Sequence, residues 1–293
     1  MINATYVIVT PVRNEIEHLK RTIESVTAQT WLPREWVVVN DGSTDGTAEL
    51  IDEMARKHSW IRGVHRPDRG FRKSGGGVME AFYDGFSRIS DAGWDYVVKL
   101  DGDLSFAADY FEKCHERFLA DPKLAIGGGT VCSLASGGTE PEAQGDPPFH
   151  VRGAVKMYRR ECWQQMGGLY KATGWDTLDE AKANMLGWST YTFDELKLTH
   201  YRFAGDADGS WKNWVKNGLA NYITGYHPLF MLVKCASRVF KKPYFLAAAG
   251  LGFGFASGYF KRIPPVDDSN LIKYFRDQQL RRLTLRDSLW SRR

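Results

Sequence analysis

Four short apolar runs constrain this chain most: TYVIVT (5–10), EWVVVN (35–40), DYVVKL (95–100) and LAIGGGTV (124–131). Each is too short for a buried helix, and most are rich in β-branched residues, which marks strands buried on both faces. Between the first two, Ile16, Leu19, Ile23 and Val26 recur at helical spacing. A second helix follows NDGSTDGT, with Ser43, Thr44 or Asp45 available as N-cap, and a third begins in SGGGVMEAFYDGFSRI (74–89). Strands alternating with helices predict an α/β fold whose mostly parallel sheet carries helices on both faces. Ligands of such sheets bind beyond the carboxyl ends of the strands. Three of those ends bear polar clusters, TPVRNE, NDGSTDGT and DGD, and their convergence predicts a site.

The 293 residues are enough for a full core, and 43% hydrophobic with 25% charged residues is a globular composition. Four scattered cysteines without a CxxC pair favour neither a disulfide framework nor a zinc site. The first residues, MINATYVIVTPVRNE, lack a basic segment followed by a long apolar run, so no signal peptide is expected and the active part should face the cytoplasm. Charge is unevenly placed. From Ile223 onward there are thirteen Lys and Arg against four Asp, whereas acids exceed bases by five before that point. An acidic body with a basic tail argues against a nucleic-acid binder and for an anionic partner of the tail.

The stretch VVKLDGDLSF (97–106) ends a buried strand with two carboxylates around one glycine. Asp-Gly is also ordinary turn chemistry, so solvated acids remain an alternative. Acids two residues apart can instead reach one hard cation, Mg²⁺ or Mn²⁺, that keeps positions open for phosphate oxygens. Cationic groups for phosphates are available in RPDRGFRKSGGG (66–77), at Arg66, Arg69, Arg72 and Lys73. GxxxxGK[ST] is absent, so this is not a P-loop and an ATPase is disfavoured, and no GxGxxG follows the first strand, which disfavours a dehydrogenase.

In order and spacing, TPVRNE, VVVNDGSTDGT, RGFRKSGGGVMEAFYDGF, LDGD and VKMYRRECWQQMGGL resemble glycosyltransferase family 2 with the GT-A fold, over roughly residues 4–205. The resemblance implies that Pro11, Arg13, Asn14, Glu15 and Asp41 line the pocket for the nucleotide base and ribose. It sets Arg69 and Lys73 beside the donor phosphates, Asp103 on a divalent cation (Mn or Mg), and Asp101 on the metal or nearer the sugar. The family's next element is Glu-Asp before a helix, whose Asp is the general base. Here TGWDTLDEAKANMLGW (173–188) has Asp176 at that position and Trp175 in place of the Glu. Asp176 is the expected base and Asp179 the next candidate; the alternative is that these acids only favour a helix N-terminus electrostatically. His200 stands where many such enzymes place a late metal ligand, against the alternative of a structural histidine.

In PLFMLVKCASRVFKK (228–242), Leu229, Leu232, Val233, Ala236 and Phe240 fall on one side of a helix and Lys234, Arg238, Lys241 and Lys242 on the other. That pattern fits a helix lying in a membrane surface, or one packed on the body with a solvated basic face. The uncharged run 243–260 is diluted by glycine and is expected to be re-entrant or interfacial rather than spanning. RDQQLRRL (276–283) is similar to the QxxRW motif of processive synthases, but Arg282 replaces the Trp, so processivity is not expected. The Gly/Pro-rich segment 133–149 is expected to form a loop over the site.

These features divide the chain into a catalytic domain (1–222) and a C-terminal membrane-associating region (223–293). The family resemblance implies an inverting transferase, and the basic tail sets it at the cytoplasmic face of the membrane. It would take a nucleotide-diphosphate sugar and act on the hydroxyl of a lipid-linked or other membrane-held glycan acceptor, without a nucleic-acid partner. A polyprenyl-phosphate glycosyltransferase and a non-catalytic, nucleotide-sugar-binding membrane scaffold are the rival readings.

Overall fold

The computed structural model describes residues 2–70, 76–134, 140–142, 146–202 and 210–291. A single eight-stranded sheet runs in the order β3-β2-β1-β4-β7-β6-β8-β5. Its first half is parallel: β1 (Tyr6–Val12) lies between β2 (Glu35–Asp41) and β4 (Tyr96–Leu100), and β3 (Ile61–Arg66) is the edge. The apolar runs of β1 and β4 are buried on both faces, as is β2 up to Asn40. The helices α1 (Ile16–Thr27) and α2 (Thr47–Lys57) cover one face, and α3 (Gly76–Phe86) the other.

The second half is mixed. The strand β7 (Val155–Arg159) runs antiparallel to both β4 and β6 (Leu124–Ser133), whereas β8 (Ser189–His200) is parallel to β6. A short strand, β5 (Leu104–Phe106), pairs antiparallel with the end of β8 and sets Leu104 opposite His200. The remaining body helices are α4 (Tyr110–Ala120), α5 (Arg160–Met166) and α6 (Trp175–Met185).

Four further helices follow: α7 (Ser210–Ile223), α8 (Pro228–Arg238), α9 (Leu246–Phe260) and α10 (Ser269–Leu283). Gly250, Gly254 and Gly258 of α9 recur every four residues on the side that meets α7. A Cβ on Gly254 would stand 2.0 Å from the Val215 carbonyl oxygen, and one on Gly250 would stand 2.6 Å from Trp214 Cβ. The two helices therefore pack backbone to backbone, which only glycine permits. No helix among the described residues is long and apolar enough to cross a membrane. Leu178 and Ala181 of α6 share one apolar cluster with Met231 of α8, Leu251 and Phe255 of α9, and Leu271 and Phe275 of α10.

Candidate active site

The three polar strand ends meet on one edge of the parallel half. After β1, Asn14 takes a left-handed conformation (φ 54°). Its Oδ1 accepts from the Thr44 amide at 2.9 Å, and its own amide donates to Ser43 Oγ at 2.9 Å. Asp45 accepts from the Ile16 and Thr47 amides, so this acid supports the starts of two helices. Arg13 donates to the Asp41 carbonyl and pairs with Asp68, at 2.7 and 2.6 Å. The Asp41 carboxylate itself is held by Arg66 at 2.6 Å and by Arg69, which also reaches Glu80 at 3.0 Å. Pro11 lies within β1, opposite Val39. Lys73 lies outside the described residues, as does Arg72.

Gly102 lets the DGD turn pass directly over β1: a Cβ there would stand 2.5 Å from Val12 Cγ1. Each carboxylate beside it has its own cationic partner. Asp101 pairs with the buried Lys99, two residues back on the same face of β4, and Lys99 also donates to the Gly153 carbonyl at 2.5 Å. Asp103 Oδ2 faces His200 Nε2 at 3.3 Å and Arg202 Nε at 3.6 Å. Burial alone would lift the Asp103 carboxyl, yet His200 and Arg202 hold it below the usual carboxylate range. Burial likewise disfavours a charged His200, but Asp103 and Glu142 push the ring up to about 10. Arg202 also pairs with Glu15, which ties TPVRNE to DGD.

Asp103 Oδ1 is buried and has no hydrogen-bond partner among the described residues. A buried carboxylate oxygen left this way fits a hard cation. Among the described residues no three His, Cys, Asp or Glu side chains are grouped to hold an ion by themselves. The residues thus fit a cation whose remaining ligands come from a bound phosphate. His200 directs both nitrogens at carboxylates, Nε2 at Asp103 and Nδ1 at Glu142 (2.7 Å), so it would have to release one of them to ligate.

Asp176 is in the first turn of α6 and partly exposed. Its Oδ2 lies 3.2 Å from where a Cβ on Gly153 would sit, and the Gly153 carbonyl accepts from Lys99, the partner of Asp101. One residue of main chain thus separates the DGD corner from Asp176. Trp175 is buried, with Lys99 and Lys156 at 5.4 and 5.5 Å from its ring. Asp179 occupies different surroundings. It is fully enclosed and accepts from Lys156 at 2.9 and 3.0 Å and from the Tyr158 hydroxyl at 2.6 Å. Burial carries its carboxyl up to about 7 against the pull of Lys156. Lys156 is itself buried and also donates to Glu180 at 2.7 Å and to the Asp176 carbonyl at 2.6 Å.

Pro11, Arg13, Asn14, Glu15, Asp41, Arg69, Asp101, Asp103, His200, Trp175 and Asp176 therefore gather at one sheet edge, while Asp179 stands behind them as a partner of Lys156. Sequence reasoning missed Lys99, Glu142, Lys156 and Arg202. Two of these carried a signal: Lys99 and Asp101, like Lys156 and Tyr158, are two apart in a strand and so share a face. Glu142 had none. It arrives because Ser133 and Glu140, and Val131 and Glu142, bond across the end of β6. Of segment 133–149, expected to lie over the site, residues 135–139 and 143–145 lie outside the described residues.

Comparisons with known proteins bear on the family and the fold. Residues 7–168 match the family model for glycosyl transferase family 2. A poly-beta-1,6-N-acetyl-D-glucosamine synthase of Staphylococcus aureus is 33% identical over 111 residues, 38% of this chain and 24% of that protein. The chain thus spans about a quarter of that relative's length. Among solved structures, the mannosyltransferase PcManGT of Pyrobaculum calidifontis, in complex with GDP-Man and Mn²⁺, aligns at a TM-score of 0.55 and 16% identity, over 100% of this chain and 89% of its own. S. aureus TarS 1–349 in complex with UDP-GlcNAc aligns at 0.54 and 12%, over 94% and 81%. At such identities these structures speak for the fold alone. With more than half of its residues matched by the family model, this chain belongs to glycosyl transferase family 2.

Proposed function

We propose that this protein is an inverting glycosyltransferase that moves a sugar from a nucleotide-diphosphate sugar to a hydroxyl of a membrane-held, lipid-linked or glycolipid acceptor at the cytoplasmic face of the membrane. Residues 1–222 would carry the chemistry and 223–293 the attachment. The observation that carries the proposal is the juxtaposition of DGD and Asp176 through Gly153, with Asp103 Oδ1 left without a partner.

Arg13, Asn14 and Asp41 would hold the base and ribose, Asp101 the sugar side of the donor, and Arg69 and Lys73 the phosphates. A divalent cation, Mn²⁺ or Mg²⁺, held by Asp103 and Asp101, would supply positive charge to the departing diphosphate. Asp176 accepts the proton of the acceptor hydroxyl as its oxygen attacks the anomeric carbon from the face opposite the leaving group. The anomeric carbon–oxygen bond to the nucleotide breaks as the new bond forms. Lys156, bonded to the Asp176 carbonyl, fixes the first turn of α6 and with it the base. Partial exposure of Asp176 supports a base that meets an acceptor, whereas Asp179 is enclosed and already bonded.

The test is transfer and donor hydrolysis with Mn²⁺ or Mg²⁺ across a panel of nucleotide sugars, for the native chain and Asp176→Asn. Loss of a hundred-fold or more in transfer supports a hydroxyl acceptor, by the usual size of a general-base effect of about 10²–10⁴. Retained turnover would favour an already ionised phosphate acceptor, and no turnover with any donor would favour the scaffold.

A further inference from the structure

The helix α8 packs Met231 into the bundle's apolar cluster, yet it also carries a second apolar side that is exposed. Leu229, Leu232 and Val233 are exposed, as is Phe240 just past the end of the helix, at 81%. Its cations turn inward: Lys234 lies over the Tyr226 ring at 4.8 Å and Arg238 over Trp214 at 5.4 Å. Burial pulls Lys234 down to about 8, so the inward placement disfavours its charge. The apolar surface continues onto the next elements. Tyr244 and Phe245 in the connection are more than half exposed, as are Phe253 and Phe260 on α9. The glycine side of α9 is committed to α7 and Leu251 and Phe255 to the bundle's apolar cluster, while Phe253, Tyr259 and Phe260 stay exposed.

Scattered single apolar residues on a surface need no explanation, but a set of exposed aliphatic and aromatic side chains on adjoining elements, with Phe240 and Phe245 in ring contact, does. Its border is cationic: Lys241 and Lys242 precede it on the α8–α9 connection, Lys261 and Arg262 close it, and all four are exposed. Between Ile223 and Val266 there is no Asp or Glu at all. An apolar face rimmed by cations, with aromatic side chains at the rim, matches the boundary between anionic headgroups and acyl chains.

We infer that the outer face of α8, the α8–α9 connection and α9 docks into the surface of an anionic lipid bilayer, with Phe240, Tyr244, Phe245 and Phe260 entering the acyl boundary and Lys241, Lys242, Lys261 and Arg262 meeting the headgroups. This deepens the membrane-held-acceptor reading above and rests on it only for the acceptor's identity. The docked bundle is coupled to the chemistry through α6. Gly174, which starts that helix, packs so closely on the end of α7 that a Cβ would stand 2.5 Å from Cγ2 of Thr224, the residue that follows α7. Leu178 and Ala181 of α6 lie in the bundle's apolar cluster. Docking would therefore fix the helix that carries Asp176 relative to the bilayer, and a lipid-linked acceptor would meet the base from that side.

The experiment is co-sedimentation of the full chain with phosphatidylcholine vesicles, with and without phosphatidylglycerol, beside donor hydrolysis and sedimentation velocity without detergent. Binding should require phosphatidylglycerol. It should weaken roughly ten-fold or more in Phe240→Ser/Phe245→Ser, and about five-fold per charge removed in Lys241→Gln/Lys242→Gln. Both variants should keep the donor hydrolysis of the native chain in solution. Binding indifferent to lipid charge, or unchanged by the Phe substitutions, overturns the inference. So does a stable dimer that those substitutions dissolve while vesicles remain unbound, since a second copy then covers the face. If vesicle binding behaves as stated while no donor is ever turned over, docking stands and the transferase proposal fails.

Discussion

Replacing Lys156 by Met keeps the length of the side chain and removes its charge from the most enclosed ionic cluster. Nζ is bonded to Asp179 at 2.9 and 3.0 Å, to Glu180 at 2.7 Å and to the Asp176 carbonyl at 2.6 Å, and the side chains of all three charged residues are fully buried. Burial opposes a charged Lys156, but Asp179 and Glu180 more than offset it and raise its pKa. With Met, two carboxylates remain in the interior with Tyr158, His150 and the Val151 amide as their donors. Removing one partner of such a cluster costs about 3–5 kcal/mol, which for a chain of this size lowers Tm by roughly 6–20 °C. The sign with pH is fixed by the acids left behind. Burial already raises the Asp179 carboxyl against the pull of Lys156, and without that pull it rises further above its unfolded value, so the variant should approach the native stability at low pH and fall away as pH rises through neutrality. Urea unfolding followed by tryptophan fluorescence at pH 5 and pH 8 measures this. Adding Asp179→Asn and Glu180→Gln to Lys156→Met should restore much of the loss at pH 8. A Lys156→Met variant within about 0.5 kcal/mol of native at pH 8, the size of an ordinary surface substitution, would refute the reasoning. So would a deficit that grows on acidification.

Two other substitutions probe neighbouring features. His150 is mostly buried against Glu180 at 2.9 Å, with Asp146 at 3.9 Å and with Asp176 and Lys156 also acting on it. Burial lowers its pKa, but Glu180 raises it further, above the ordinary value of about 6.5. The stability it contributes is therefore complete below about pH 6.5 and lost as pH rises through the folded value, a falling limb that His150→Gln should lack in urea midpoints against pH. On α9, Gly252 and Gly254 make a matched pair. A Cβ at 252 meets only Cys235 Sγ at 3.9 Å, so Gly252→Ala should raise stability by up to about 1 kcal/mol through helix propensity. A Cβ at 254 strikes main-chain atoms of α7, so Gly254→Ala should lower it by about 1–3 kcal/mol, and equal Tm values for the two would contradict backbone-to-backbone packing.

The parallel half of the sheet was legible because double-sided burial leaves uninterrupted apolar runs, as in β1, β2 and β4. The edge strand β3, with one buried residue in six, and β8, with polar residues through its length, leave no such run, and β7 carries Lys156 in its interior. Local chemistry was partly legible. Asp45 does accept from the Thr47 amide, although Gly46 is the residue that precedes the helix. The loops TPVRNE, NDGSTDGT and DGD were placed together correctly because parallel strands put their carboxyl ends on one edge. What could not be read was the pairing between distant parts of the chain: Glu142 on His200, or Arg202 on Glu15 across 187 residues. The wheel of α8 gave its two sides but not which faced outward, since that depends on the Tyr226 and Trp214 rings that receive its cations.

The DGD corner itself argues for how a cation would enter. Two carboxylates beside each other repel, but here Asp101 is matched by Lys99, and Asp103 by Arg202 and His200, so little uncompensated charge remains to attract a bare ion. The protein also offers few ligand atoms: Asp103 Oδ1 is without a partner, and no group of three ligating side chains stands around it among the described residues. Mg²⁺ and Mn²⁺ prefer six oxygen ligands, so most must come from water and from the donor's phosphates. Ion and nucleotide should therefore bind together rather than in sequence, each strengthening the other. In thermal unfolding, Mn²⁺ alone should scarcely move Tm and a nucleoside diphosphate alone only slightly. The two together should exceed the sum of the separate shifts, and Asp103→Asn should remove that excess. A Tm rise with Mn²⁺ alone that nucleotide does not enlarge would mean that the chain builds a complete metal site by itself, and the charge matching described for this corner would then be the wrong explanation of its two aspartates.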